Sequence, residues 1–150
     1  MRNLSLLLPL FLATSPVRAQ LVHSTADSKW GPAPPFLPAG VQAAVVQGDP
    51  GSAGEYTIRL QMPDGYVVPP HFHPTDENVT VLTGTLMLGM GDEIDRRTAD
   101  RLTAGGFAMA KATTHHYAIA VGPTVVQVHG MGPFAITYVR AADDPRAARP

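Results

Sequence analysis

From Val41 onward, short apolar runs alternate with turn residues. In "EYTIRLQM" (55–62) Tyr56, Ile58, Leu60 and Met62 fall on one face, and Thr57, Arg59 and Gln61 on the other. A period of two marks a half-buried strand. "MPDG" (62–65) then turns the chain, with Gly65 free to take positive φ. Further strands are expected over 67–73, 77–83, 85–90, 107–110, 115–121, 124–129 and 134–139, broken at Gly84, at Gly105-Gly106 and at Gly122-Pro123. Residues 92–101, "DEIDRRTADR", read as a solvated charged loop. Eight or more short strands with almost no helix and no internal repeat imply an antiparallel sandwich or barrel.

The ends of the chain depart from this pattern. Arg2 precedes an apolar run from Leu4 to Ala13, and Val17-Arg18-Ala19 places small residues ahead of Gln20. Residues 1–19 therefore read as a secretory signal peptide, cleaved near Ala19–Gln20, so a periplasmic or secreted location is expected. The run is too short to span a bilayer, and the mature chain has no segment that could. Residues 20–40 carry Pro32, Pro34, Pro35 and Pro38 and read as an extended arm. Residues 41–140 form the barrel, and 141–150 a flexible polar tail.

Composition narrows the chemistry. Of 11 basic residues, Arg2 and Arg18 leave with the signal, so nine face 12 acidic ones at a net charge of −3. No basic stripe remains to hold a phosphate backbone, which argues against a nucleic-acid partner. The chain has no cysteine, so thiolate ligands, disulfides and a cysteine nucleophile are excluded. No serine pairs with a histidine and an acid in nucleophile order, which disfavours a serine-type hydrolase.

One stretch concentrates the remaining chemistry: "GYVVPPHFHPTDENVTVLTG", Gly65 to Gly84. Strand parity puts His71 and His73 on one face and Phe72 on the other. A turn at Pro74-Thr75-Asp76 then brings Glu77 back beside the histidines. Such groups are costly to bury without a partner. An exposed loop and hydrogen-bonded histidines remain alternatives to a metal site at this point. Two imidazoles and a carboxylate suit non-haem iron and its neighbours in the transition series. His129 shares a face with Gln127 and Val125, and both His129 and Gln127 are candidates for a role beside the site or against substrate. Lys111 reads as a surface residue at a hairpin, and His23 as a solvated residue of the arm. Val79, Val81 and Met109 or Met87 are the expected walls of a small, partly apolar pocket.

The spacing G-x(5)-H-x-H-x(3)-E-x(6)-G, met by Gly65, His71, His73, Glu77 and Gly84, resembles the first motif of the cupins. Their second motif, G-x(5)-P-x-G-x(2)-H-x(3)-N, is matched at Gly105 and His116, with Lys111, Thr113 and Ala120 replacing proline, glycine and asparagine. The resemblance covers about residues 41–140 and implies a single all-β jelly-roll barrel. It implies that His71, His73, Glu77 and His116 hold one divalent transition metal, iron or manganese first, with nickel, copper or zinc as alternatives. Its spacing selects His116 over the adjacent His115. The resemblance further implies a small-molecule substrate and pairing into a homodimer. The expected activity is that of an oxidoreductase, dioxygenase-like, on an aromatic or enolic substrate, with Glu77 as ligand and as base if it detaches. A non-catalytic binding or sensing domain and an oxygen-independent isomerase or lyase are the competing expectations.

Overall fold

The computed structural model describes residues 27–147. Within them nine strands run in chain order: β1 Gly31–Pro32, β2 Gln42–Gln47, β3 Gly54–Met62, β4 Val67–Phe72, β5 Glu77–Met90, β6 Asp100–Thr103, β7 Phe107–Ala110, β8 His116–Gly132 and β9 Thr137–Tyr138. All pairings are antiparallel. The sheet order is β1-β2-β3-β8-β4-β9, while β5 lies along β8 and carries β6 and β7 on its other edge. The sheet curls into the expected jelly-roll barrel. The leader expected over residues 1–19, and His23, lie outside the described residues.

The period-two face of β3 is the core face: Tyr56, Ile58, Leu60 and Met62 are all buried. Val79, Val81 and Leu86 of β5 and Val126 and Val128 of β8 meet them in one cluster. Each fully buried side chain of this kind contributes roughly 1.5–3 kcal/mol. Together they form a continuous apolar interior.

Where the sequence suggests four strands, the structure has two. The expected 77–83 and 85–90 are one strand, β5, and 115–121 and 124–129 are one strand, β8. The two remain paired across Gly84 and Gly122, but the register slips between Val81 and Thr85. Gly84 has φ +79° and Gly122 φ +73°, a left-handed conformation that costs glycine little. The slip changes which parity faces inward, from Val79 and Val81 before the bend to Leu86 and Leu88 after it. One bent strand thereby lines both halves of the barrel. Thr124 holds the bend: its Oγ1 accepts from Thr85 N at 3.2 Å and lies 3.0 Å from the carbonyls of both Thr85 and Gly122.

The ends of the domain are tied down. The arm lays β1 on β2 and buries Leu37, and Phe36 meets Phe134 edge-on at 5.5 Å. Residues 141–147, expected to be part of a flexible tail, include a 3₁₀ turn, and Arg146 Nη2 donates to Ile136 O. The charged stretch 92–101 is anchored rather than wholly solvated. Tyr117 Oη donates to Asp95 O, and Asp100 and Arg101 begin β6, which pairs with Leu88 and Met87. Among the described residues no helix is long and apolar enough to cross a membrane.

Candidate metal centre

Three strands and the segment after β4 deliver the candidate ligands. His71 lies in β4 and is the register partner of His116, the first residue of β8. His73 follows the end of β4, and Glu77 opens β5 after the turn at 74–76. That turn is held by Thr75 Oγ1 donating to Met131 O at 2.8 Å and by Ala112 N donating to Asp76 Oδ1 at 2.8 Å. His71, His73, Glu77 and His116 are all buried. The donor atoms of the three imidazoles lie within 4.8 Å of one another.

The ring orientations follow from backbone acceptors. Nδ1 of His71 lies 2.7 Å from Pro69 O, Nδ1 of His73 lies 2.7 Å from Ala135 O, and Nδ1 of His116 lies 2.9 Å from Thr114 O. A carbonyl can only accept, so each Nδ1 carries the proton and each Nε2 keeps its lone pair. Phe134 stacks on His73 at 5.6 Å and 21°.

Glu77 Oε2 stands 3.4 Å from Nε2 of both His73 and His116. Both nitrogens are buried and without a hydrogen-bond partner. In this tautomer, lone pairs of nitrogen and carboxylate face one another, which is repulsive unless a cation lies between them. The spacing fits an ion. Two donors each about 2.1 Å from one ion stand roughly 3.0–3.4 Å apart, whereas a charge-assisted hydrogen bond closes to about 2.7–2.9 Å. The three imidazoles are thus positioned to hold a metal ion, and the Glu77 carboxylate faces two of them at a spacing that an ion would fit.

Electrostatics say the same. Burial, with His116 and His73 beside it, pushes His71 down to about 3. Burial also opposes charge on His73, but the Glu77 carboxylate outweighs it and raises the pKa. Burial works against the charge of Glu77, yet His116 and His73 hold it well below the ordinary carboxylate range. The cluster attracts positive charge, a proton or a metal ion.

The positions read from sequence separate clearly. Phe72 points away from the ligands and stacks on His115, whose Nδ1 contacts Asp92 Oδ1 at 2.6 Å. His115 faces outward and His116 inward. Lys111 is exposed. Gln127 and His129 are corrections: they lie on the outer face, because Val126 and Val128 take the inward parity of β8. Gln127 accepts from Arg59 there, at 3.3 Å. Val79 lines the cavity beside the ligands and Val81 is fully buried in the core, but Met109 is exposed and Met87 turns away, leaving Leu86 and Leu88 as wall residues. Sequence reasoning missed Ala135 and Phe134, both about sixty positions from His73. The alternation in "FAITY" marks a buried strand there but not its neighbour.

Thr113 occupies the position where the second cupin motif carries glycine, and it adopts φ +62°. Its N–H donates to His73 O at 2.9 Å, so the turn before His116 keeps its shape without the glycine.

A cavity of about 40 Å³ adjoins His71, Glu77 and His116, walled by aliphatic residues and Phe134.

Comparison with known proteins places this architecture. The ChrR cupin-like domain family matches residues 18–135. No curated protein matches the chain. Among solved structures, the polyketide cyclase RemF of Streptomyces resistomycificus superposes with a TM-score of 0.67 at 18% identity, over 85% of this chain and 90% of that one. A provisionally assigned acetylacetone dioxygenase of Methylibium petroleiphilum PM1 gives 0.64 at 18% identity, over 89% and 90%. In the complex of Rhodobacter sphaeroides SigE with the anti-sigma ChrR, the matching chain gives 0.53 at 22% identity, over 71% of this chain and 50% of that one.

Proposed function

Because the chain belongs to the ChrR cupin-like domain family, within the cupins, we propose that it is a mononuclear metal protein with oxidoreductase chemistry on a small ligand. His71, His73, His116 and Glu77 are the proposed ligands of one first-row divalent ion, iron or manganese first. The observation that carries this reading is the pair of buried Nε2 atoms without partners, each 3.4 Å from one carboxylate oxygen. A bound ion would supply Lewis acidity and open coordination positions. The protein's own part is to exclude water and orient the ligand: the walls beside the site are aliphatic, which strengthens electrostatics there. Glu77 is the only carboxylate among the residues lining that cavity, and it could move a substrate proton if it detaches from the ion.

A dioxygenase-like reaction is the finer form of this proposal. The likeness in fold to a provisional acetylacetone dioxygenase supports it as analogy only. Elemental analysis of the native protein, followed by oxygen-uptake assays on iron- and manganese-loaded samples with small enolisable substrates, tests both levels. Metal-free native protein that also refuses metal on reconstitution would end the metal reading; metal without oxygen uptake would end the dioxygenase form.

A second reading has an observation of its own. A cavity of about 40 Å³ is smaller than an aromatic ring and holds no acid–base group beyond the ligands, which suits a domain that binds or senses rather than turns over. Saturable ligand binding with no product, with or without oxygen, would select it. We also propose that the chain is exported, on the leader pattern of residues 1–19.

A further inference from the structure

We propose that Leu37, a residue of the N-terminal arm, is the specificity-determining residue of the metal centre: it sets the size of the ligand that reaches the ion. The inference rests on the metal reading above and extends it to a part of the chain far from the ligands in sequence.

Leu37 is buried and lines the cavity beside His71, Glu77 and His116. The arm holds it there from both sides. Tyr138 Oη donates to the carbonyl of Phe36 at 2.7 Å, and Tyr66 Oη donates to the carbonyl of Pro38 at 2.7 Å. Leu37 N donates in turn to Pro34 O at 3.0 Å, closing a tight turn. The residues either side of this leucine are thus each fastened to the barrel, through their carbonyls, by a buried tyrosine. Tyr138 is also the register partner of His71, so the clamp and the candidate ligand sit opposite one another on paired strands.

Two burials compete at this point. The core gains by covering apolar surface, and the arm supplies that cover with a leucine instead of closing the barrel with its own strands. The leucine occupies space that a substrate would otherwise use, leaving about 40 Å³. That volume suits a ligand of two or three heavy atoms. Charge sharpens the choice: a divalent ion with one carboxylate and neutral imidazoles has net charge +1, so a monoanion makes the buried centre neutral. Small monoanions should therefore bind with the arm in place, and anything larger must displace Leu37.

The test uses the full chain loaded with cobalt(II), with ligand binding read from its visible absorption. The probes are azide and acetylacetonate, two monoanions that differ in size. Leu37→Ala should leave azide affinity within about twofold and tighten acetylacetonate by about tenfold or more, the scale on which a pocket discriminates by methylene groups. Leu37→Val should fall between, which separates graded steric control from loss of fold. Trp30, the sole tryptophan, lies in the same arm and is partly covered. Its quenching by acrylamide should rise in the Tyr66→Phe, Tyr138→Phe double variant, which keeps the leucine but removes both clamps. Equal changes for the two probes, or none for acetylacetonate, would overturn the inference while leaving the metal reading intact. If no metal binds, the metal reading fails, and thermal shift with benzene decides the plug separately. Stabilisation of Leu37→Ala but not of the wild type supports Leu37 as the size limit; equal shifts reject it.

Discussion

At the scale of single residues, the centre is defined by what each imidazole does with its two nitrogens. Three Nδ1 atoms are committed to backbone carbonyls, which leaves three Nε2 lone pairs for one acceptor of charge. His73→Ala should abolish stoichiometric metal, while His129→Ala, on the outer face, should not, as elemental analysis will show. The pH dependence follows from the same groups. His73 is raised, so in the metal-free protein its contribution to stability is full below about pH 6.5 and is lost as pH rises through its folded value. His71 and Glu77 are depressed and act oppositely, losing their contribution as pH falls, His71 between about 6.5 and about 3. A metal must displace the proton that His73 attracts, so its affinity should rise with pH until the raised folded value of His73 is passed, up to tenfold per unit for one displaced proton. Calorimetric titration at several pH values measures that slope; a flat profile would mean no proton leaves. Thr113 is a second single-residue case. A β-branched side chain in the left-handed region costs roughly 1–2 kcal/mol, of which glycine's extra backbone entropy takes back about 0.5–1 kcal/mol. Thr113→Gly should therefore stabilise by up to ~1.5 kcal/mol in chemical denaturation, with metal content unchanged.

At the scale of elements, the paired bend in β5 and β8 decides which side chains face inward. Thr124 is nearly without exposure, and its hydroxyl serves the Thr85 N–H directly. Thr124→Val preserves the shape but leaves that N–H unpaired, which should cost about 1–3 kcal/mol. Urea denaturation reads the loss, and a cost near zero would mean that Gly84 and Gly122 hold the bend unaided. Further along β5, a Cβ on Gly89 would lie inside the Tyr117 ring. That ring cannot retreat easily, because its hydroxyl is bonded at Asp95. Gly89→Ala should therefore destabilise by about 1–3 kcal/mol through overpacking. Thr124 lies eight positions along β8 from His116, whereas Gly89 is paired with Tyr117, directly beside that candidate ligand.

At the scale of the whole molecule, folding and metal binding are coupled. Only the folded chain brings residues 71, 73, 77 and 116 together, so a bound ion stabilises by mass action, about 2.7 kcal/mol at a free concentration of 100 Kd. Chelation should lower the melting temperature of the native protein, and readdition should restore it. Identical curves with and without metal would show that the apolar core alone sets stability. The proposed export is checked by N-terminal sequencing of protein from its source, which should begin near Gln20; a start at Met1 would remove it.

Much of the architecture was legible along the chain because it rests on local regularities. The period of two in β3 named its buried face, and the parity of His71 and His73 placed them together. The spacing of the two motifs picked His116 from its neighbour, and the structure turns His116 inward. What local pattern could not carry was anything set by register. The outward placement of Gln127 and His129, by contrast, was signalled locally, because apolar Val126 and Val128 alternate with them along β8. The merging of four expected strands into two depends on pairing that persists through a glycine, which from sequence alone reads as a break. The partner carbonyl of His73, at Ala135, and the position of Leu37 over the ligands are contacts between segments tens of residues apart. They exist only once the barrel has closed, since burial of the arm and the orientation of the imidazoles are properties of the shared interior.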